Sequence, residues 1–374
     1  MDISTDFDGA NIDCLQCSDA DNIRLRIRPD HNSEHLQWFY FRLTGAKGAD
    51  CRLVIENGDE VSYRDGFANY RAVVSDGDGS WRRTDTEFDG KQLTIRHRPQ
   101  TDSTYFAYFA PYTWVQHRRL IDAALSNDQV NYHRLGETLD GRAIELLQVG
   151  TASANKKTAW IIARQHPGET MAEWWMEGFL EKLLDGDDAV ARDALAHYVF
   201  YIVPNMNPDG SVRGHLRTNA VGRNLNREWL EPSAEYSPEV YYVRQYMQTT
   251  GVDFCLDVHG DEALPYNFIA GAQGTPSWSE KKQQQLDAFQ QTLAKLNSDF
   301  QTAKGYPINA PGQANMTMCT AFIAEHFNCL AMTLEMPFKD TADTPVPDTG
   351  WSPNRCKKLA HSCLQTMVQI RSDL

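Results

Sequence analysis

Apolar and polar positions alternate with a period of two through much of the first 115 residues. Ile23, Leu25 and Ile27 alternate with arginines, as a strand with one buried face requires. Similar strand-prone runs, several of them rich in aromatic residues, occur at 38–41, 53–55, 93–97 and 105–109. Turn-forming residues separate these runs, and Asn57-Gly58 is typical of a hairpin turn. The pattern therefore predicts an N-terminal antiparallel β-sandwich over residues 1–115.

Continuous apolar runs replace this alternation after about residue 118. Three such runs predict buried strands, at 159–163, 198–203 and 254–258, and residues 146–149 predict a further strand after the Asp140-Gly141 turn. Three segments with apolar residues at helical spacing predict helices, at 170–184, 277–300 and 353–371. Strands that alternate with helices indicate an α/β layer architecture, so residues 116–374 are expected to form a second domain.

Composition and charge narrow the class of protein. The chain has 374 residues, of which 41% are hydrophobic and 23% charged, as in ordinary globular proteins. The net charge of −14 argues against a nucleic-acid partner. No apolar run approaches the roughly 20 residues of a membrane helix, so no membrane partner is expected. The N-terminus has no pattern of an export signal and the eight cysteines are scattered, which predicts reduced thiols and a cytoplasmic protein.

Candidate metal ligands stand at the ends of two predicted strands. His166 and Glu169 follow the strand at 159–163, and His259 ends the strand that begins at residue 254. Imidazole nitrogens and carboxylate oxygens are suitable zinc ligands, and a catalytic zinc usually has three protein ligands. Since ligands gather at the carboxyl ends of strands in open α/β sheets, these three side chains are expected to meet. His-x-x-Glu is weak evidence when it stands alone.

The residues between and after these ligands are more specific. Asn-Pro-Asp-Gly stands at 207–210, and Arg217, Asn226-Arg227 and Glu335 follow in order. This ordered set resembles the zinc metallocarboxypeptidases of the M14 type. The segments Ala163–Thr170, Gln37–Phe41 and Tyr108–Thr113 are similar to the cytosolic carboxypeptidase branch of that family. The resemblance implies a β-sandwich domain followed by an α/β/α carboxypeptidase domain with a mixed, twisted sheet.

The resemblance also implies a set of catalytic roles. His166, Glu169 and His259 are expected to hold one Zn²⁺, with water in the fourth position. Glu335 is expected to take the proton of that water and pass it to the leaving amine. Arg217 is expected to stabilise the oxyanion that develops on the scissile carbonyl.

Asn226 and Arg227 match the pair that grips the terminal carboxylate of the substrate. Recognition of a free carboxylate makes the enzyme an exopeptidase. The expected partners are therefore the C-terminal tails of peptides or proteins, while the oligomeric state stays open.

Three positions depart from the family pattern or lack a clear counterpart. Asn224 stands where the family usually has an Asp that orients the first metal histidine. Tyr306 is the one tyrosine between 267 and 335, and is therefore the candidate for the substrate-side tyrosine. The branch suggests glutamate as the C-terminal residue removed, yet the segment from Gly305 to Phe338 contains no Lys or Arg that would pair with it.

Two alternatives stay open at this stage. One is a zinc-dependent acyl-amino-acid amidohydrolase of related fold, which would share the three metal ligands. The other is a non-catalytic zinc-binding or protein-binding module, which would have no need for Glu335. Outside the motifs, Glu173 and Glu177 are spaced i,i+4 and are predicted to lie on a solvated helix face.

Overall fold

The computed structural model describes residues 1–373. Its N-terminal part contains ten strands in two five-stranded sheets, of order β1-β4-β10-β6-β7 and β2-β3-β5-β9-β8. The strands are β1 (Asp2–Ser4), β2 (Asp13–Gln16), β3 (Ile23–Arg26), β4 (Tyr40–Thr44), β5 (Cys51–Ile55), β6 (Val73–Ser75), β7 (Arg82–Arg83), β8 (Asp85–Phe88), β9 (Leu93–His97) and β10 (Ser103–Ala107). The predicted sandwich is confirmed, and apolar side chains of both sheets contribute to one core.

Two details of the sandwich differ from the prediction. β3 and β5 pair in parallel, while every other strand pair described in these two sheets is antiparallel. The predicted hairpin at Asn57-Gly58 is wrong, because β5 finds its antiparallel partner in the distant β9. The side chain of Asn57 instead accepts from the backbone N–H of Ile27 and donates to its carbonyl oxygen, both at 3.0 Å.

The second part of the chain is built on a seven-stranded mixed sheet. Its strands are β11 (Val130–Glu137), β12 (Ala143–Val149), β13 (Lys157–Ala163), β14 (Tyr198–Val203), β15 (Phe254–Asp261), β16 (Phe268–Gly271) and β17 (Leu330–Pro337). The order is β11-β12-β14-β13-β15-β17-β16, with β14, β13, β15 and β17 parallel to one another. These four strands are buried almost throughout, which explains their continuous apolar runs.

Helices cover both faces of this sheet. They are α1 (Trp114–Leu125), α2 (Met171–Leu183), α3 (Ala189–His197), α4 (Pro208–Arg213), α5 (Pro238–Thr250), α6 (Glu280–Leu296), α7 (Cys319–His326) and α8 (Pro353–Gln369). Residues of α2, α6 and α8 pack in the larger apolar cluster, and residues of α5 and α7 in a second cluster on the other side. The α/β/α layer prediction is confirmed. Within residues 1–373, no helix combines the length and apolar character needed to cross a membrane.

The sandwich and the sheet domain share a continuous apolar core. Side chains of both β-sandwich sheets and of one face of the central sheet belong to the same buried cluster. Phe338, just after β17, stacks on Tyr108 with ring centroids 4.6 Å apart and contacts Phe109 edge-on. The N-terminal region is therefore packed firmly against the end of the sheet where β15 and β17 finish.

α2 and α8 cross closely because Gly178 lies at their contact. A Cβ atom added to Gly178 would lie 2.4 Å from Cα of Lys357 on α8, a distance too short for two carbon atoms. Trp175 and Phe179, which flank this glycine on α2, are fully buried. The absence of a side chain at position 178 therefore sets the separation of the two helices.

We expect Gly178→Ala to destabilise the fold by about 1–3 kcal/mol, because the helices must separate to admit the methyl group. Ala favours a helix over Gly by about 1 kcal/mol, and this gain offsets only part of a cost in the upper half of that range. Gly186→Ala is the matched control, since a Cβ there meets no atom within 4 Å. Urea unfolding of both variants measures the effect. Equal or greater stability of the Gly178→Ala variant would contradict the close-contact explanation.

Candidate functional site

The three predicted metal ligands converge at the carboxyl ends of β13 and β15. Nδ1 of His166 lies 2.7 Å from Oε1 of Glu169, and Nδ1 of His259 lies 2.8 Å from Oε2 of Glu169. The two Nδ1 atoms are 3.2 Å apart. All three side chains are buried, and their ligand atoms lie within 4.8 Å of one another. This arrangement places three metal-binding atoms around one point.

Each histidine ring is oriented by a hydrogen bond from its far nitrogen. Nε2 of His166 lies 3.0 Å from Oδ1 of Asn224, and Nε2 of His259 lies 2.9 Å from Oδ2 of Asp257. With Nε2–H donated outward, each ring in its neutral form would direct the Nδ1 lone pair inward, toward the carboxylate and toward the other ring. Three converging lone-pair donors in a buried site repel one another unless a cation lies between them. The residues therefore fit a metal such as zinc.

Burial and the neighbouring charges shift the pKa values of all three side chains. Burial and the nearby Arg217 lower the pKa of His166 to about 4. Burial would also lower the pKa of His259, but Asp257 and Glu169 outweigh it and raise that pKa well above its usual value. Burial would raise the pKa of Glu169, and the two histidines instead hold it well below its usual range. Glu169 is thus ionised, as a metal ligand must be.

Asp257 is a member of the site that the sequence analysis missed. It is fully buried, and its Oδ2 also accepts from Nε2 of Gln165 at 2.7 Å. Gln165 is in turn fixed by the indole N–H of Trp229 at 2.8 Å. A buried Asp two residues before His259 on the same strand was the available signal, because alternate residues of a strand share a face.

Glu335 lies beside the ligands on the neighbouring strand. It pairs with His259 across β15 and β17, and its side chain is buried. Tyr306 donates through its hydroxyl to Asp261 at 2.6 Å and lies 3.2 Å from Oε1 of Glu335. Burial raises the pKa of Glu335 well above its usual value, and Glu169 and Asp261 add to the effect while His259 opposes it. A cation at the ligands would lower that pKa again.

The polar residues from the middle of the chain border the same site. Asn226 accepts the backbone N–H of Cys319 through Oδ1 at 2.9 Å, and it borders the cavity that also contains Tyr306 and Glu335. Arg227 follows it, and its guanidinium donates to the carbonyl oxygen of Asn226 at 2.6 Å. Arg217 lies over the ring of Tyr63 at 5.5 Å.

The surroundings of the two arginines shift their pKa values in opposite directions. Burial would lower the pKa of Arg217, but the neighbouring Tyr63 and the carboxylates around the site raise it. Burial and the positive charge of Arg217 lower the pKa of Arg227. Both guanidinium groups stay charged, because their ordinary pKa is above 12.

The N-terminal sandwich holds the Arg217 segment in place. Asp30 is buried, and its carboxylate accepts the backbone N–H groups of Leu216, Arg217 and Thr218 at 2.6, 2.8 and 2.9 Å. The hydroxyl of Thr218 donates to it as well, at 3.0 Å. The sequence offered no signal for this residue, since 186 positions separate Asp30 from Leu216.

A buried charged network supports the loop that carries His166 and Glu169. Arg164 has a left-handed φ of 58°, which is unfavourable for a side chain, and donates to the carbonyl oxygens of Pro167 and Tyr112. It also pairs with Glu173. The prediction that Glu173 is solvated is wrong, because this carboxylate is fully buried and also accepts from His117 at 2.6 Å.

His117 lies between Glu173 and Glu145, which contacts its other ring nitrogen at 2.8 Å. Burial opposes the imidazolium charge, but the two carboxylates outweigh it and raise the pKa of His117 to about 9. The folded protein therefore holds this ring protonated at neutral pH.

Both parts of the chain match known protein families. Residues 3–109 match the cytosolic carboxypeptidase N-terminal domain, and residues 119–366 match the zinc carboxypeptidase family. The chain belongs to the zinc carboxypeptidase family. It is a peptidase hydrolase with the carboxypeptidase activity of that family, whose members use a metal, usually zinc. The resemblance to its cytosolic branch is confirmed, and the non-catalytic alternative is set aside.

Individual relatives agree with this assignment. A metallo-carboxypeptidase from Burkholderia cenocepacia is 44% identical, with a TM-score of 0.97 and complete coverage of both chains. A metallo-carboxypeptidase from Pseudomonas aeruginosa, in complex with (2-guanidinoethylmercapto)succinic acid, is 43% identical, with a TM-score of 0.96 and complete coverage of both chains. Cytosolic carboxypeptidase 6 of Caenorhabditis elegans is 27% identical over 91% of this chain and 78% of its own length.

We expect Asp257→Asn to weaken metal binding by about 10–100-fold, because His259 loses the carboxylate that raises its basicity. Asn224→Asp should strengthen binding, since it adds a charge at the equivalent position beside His166. Asp122→Asn, on the exposed face of α1, is the matched control. Competition with a chelator measures the three affinities. Unchanged affinity in the Asp257→Asn variant would show that Asp257 does not tune the ligand.

His117 gives the stability a pH dependence. Because the folded pKa is raised from 6.5 to about 9, its contribution is complete below pH 6.5 and is lost as the pH rises through 9. The shift corresponds to about 3 kcal/mol. Denaturant unfolding between pH 6 and 9.5 should therefore show a loss in the parent protein that is absent in His117→Gln. Parallel pH profiles for the two proteins would exclude this role.

Proposed function

We propose that the protein is a zinc-dependent metallocarboxypeptidase that removes residues one at a time from the free C-termini of peptides or protein tails. The observation that carries the proposal is the convergence of His166, Glu169 and His259 beside Glu335 on the adjacent strand. Family membership supplies the reaction class.

Glu335 acts as the general base and then the general acid. His166, Glu169 and His259 would hold a zinc ion, which when bound would lower the pKa of a water molecule and polarise the scissile carbonyl. Glu335 takes the proton from the attacking water and delivers it to the amine of the departing residue. Tyr306, which contacts Glu335 at 3.2 Å, is well placed to orient this carboxylate or the substrate beside it.

Arg217 stabilises the negative charge that develops on the carbonyl oxygen. Its guanidinium is held over Tyr63, and its backbone is fixed by Asp30, so little reorganisation is needed during the reaction. Such preorganised charge usually contributes a factor of about 10²–10³ to the rate.

Asn226 and Arg227 restrict the enzyme to free C-termini. Because Oδ1 of Asn226 is taken by the N–H of Cys319, its amide N–H groups are the part left to donate to a substrate. Arg227 adds a charged fork that matches a carboxylate. The succinic acid derivative bound by the Pseudomonas aeruginosa relative carries two carboxyl groups, which is consistent with carboxylate recognition.

The cysteines and the relatives bear on the cellular setting. All eight cysteines are free thiols, which fits a reducing compartment, and the relatives include cytosolic carboxypeptidases. We place the protein in the cytoplasm on this basis, acting on peptide or protein tails. The division into a sandwich domain at 1–115 and a catalytic domain at 116–374 is likewise a proposal.

A peptide panel tests the proposed reaction. The metal-loaded enzyme should shorten peptides with free C-termini and leave their C-terminally amidated counterparts intact, as followed by mass spectrometry. Glu335→Gln should lower kcat by about 10²–10⁴-fold, because the proton transfer is lost. Arg227→Met should chiefly raise KM, whereas Arg192→Met, on the exposed side of α3, should change neither parameter.

Two results would contradict the proposal. Cleavage of amidated peptides at the same rate would remove the role of Asn226 and Arg227. Hydrolysis of acylated amino acids alone, with every peptide left intact, would favour the amidohydrolase alternative.

A further inference from the structure

A cavity of about 140 Å³ opens directly beside the proposed catalytic residues. Glu335 and Asn226 border it, and Tyr306 forms part of its wall. A substrate whose terminal carboxylate meets Asn226 and Arg227, and whose scissile carbonyl lies near Glu335, must direct its last side chain into this space. An apolar cavity of about 150 Å³ holds benzene, so a side chain of up to about six heavy atoms fits.

The wall of this cavity contains no cation. Among its lining residues, all within the described part of the chain, there is no Lys, Arg or His. Arg217 and Arg227 are outside the lining and serve the carbonyl oxygen and the terminal carboxylate. A glutamate side chain entering here would lose its hydration without gaining a partner charge, which is costly.

The wall offers neutral hydrogen-bonding groups instead. The hydroxyls of Thr320 and Thr333 lie 2.6 Å apart, so one donates to the other and the pair keeps one hydrogen and free lone pairs. Amide side chains and apolar groups complete the lining, among them Gln273, Asn309, Asn315, Ile269 and Met318. A side chain that is uncharged, with an apolar stem and an optional amide or thioether end, matches this surface.

We propose that the enzyme selects substrates with an uncharged C-terminal residue of the size of glutamine or methionine, and discriminates against C-terminal glutamate. The inference rests on the proposed carboxypeptidase function and names the substrate class of the same site. It contradicts the expectation of glutamate removal drawn from the branch resemblance. The selection arises from the missing cation and from the neutral wall around Thr320.

Peptides that end in Gln and Glu form an isosteric pair and provide the test. Measured with the metal-loaded enzyme at pH 7.5 and moderate salt, kcat/KM should be at least tenfold higher for the Gln peptide. A Met peptide should be cleaved at a rate similar to that of the Gln peptide. Equal rates for Gln and Glu, or a faster rate for Glu or Lys, would overturn the inference while leaving the carboxypeptidase reaction established.

A binding measurement separates this inference from the reaction itself. Calorimetry with the metal-loaded Glu335→Gln variant should give tighter binding for the Gln peptide than for the Glu peptide, although no cleavage occurs. This preference should be present even if no tested peptide is hydrolysed by the parent enzyme, in which case the proposed reaction alone fails. Equal affinities, or tighter binding of the Glu peptide, would overturn the pocket assignment.

A gain of glutamate activity provides the complementary test. Asn309→Lys adds a cation to the wall on an exposed loop, where folding is not at risk. It should raise kcat/KM for the Glu peptide by at least tenfold relative to the Gln peptide. Thr320→Lys should act in the same direction if it folds. Thr302→Lys, exposed and outside the cavity lining, is the control and should leave the ratio unchanged. An identical ratio in the Asn309→Lys variant would contradict the proposal.

Discussion

Two imidazole rings and one carboxylate bring their ligand atoms within 4.8 Å of one another in a buried volume, and much of the structure serves to keep them there. Left to itself, such a cluster would separate or take up a proton, because like-charged and lone-pair groups repel strongly where water is excluded. The rings are prevented from turning by bonds from their far nitrogens to Asn224 and Asp257. A cation between the donors turns this repulsion into attraction.

The scaffold around the ligands is itself held by charge. Arg164 takes an unfavourable backbone conformation at the start of the ligand loop, and its bonds to two carbonyl oxygens and to Glu173 compensate for it. Glu173 also contacts the protonated His117, and the other ring nitrogen of His117 contacts Glu145. Opposite charges in contact lower the cost of burying each one. The loop geometry therefore depends on a network that begins well outside the site.

The N-terminal sandwich supports the segment that carries Arg217. Asp30 fixes the backbone around Arg217, and Tyr63 lies under its guanidinium. The shared apolar core holds the sandwich in a fixed position against the central sheet.

Local sequence patterns were sufficient to predict most of the fold and part of the candidate site. Period-two alternation and continuous apolar runs identified most strands and the layer architecture, because burial of one or both faces acts on neighbouring residues. The ligand motif was recognisable because His166 and Glu169 are three positions apart, and His259 because strand ends share an edge.

Tertiary structure alone decided the rest. The parallel pairing of β3 with β5, the burial of Glu173 and the support from Asp30 arise from residues brought together across dozens to nearly two hundred positions. An i,i+4 pair of glutamates has the same spacing whether a helix faces water or a buried histidine. Which of the two it faces depends on the packing of distant segments, and no local pattern encodes that packing.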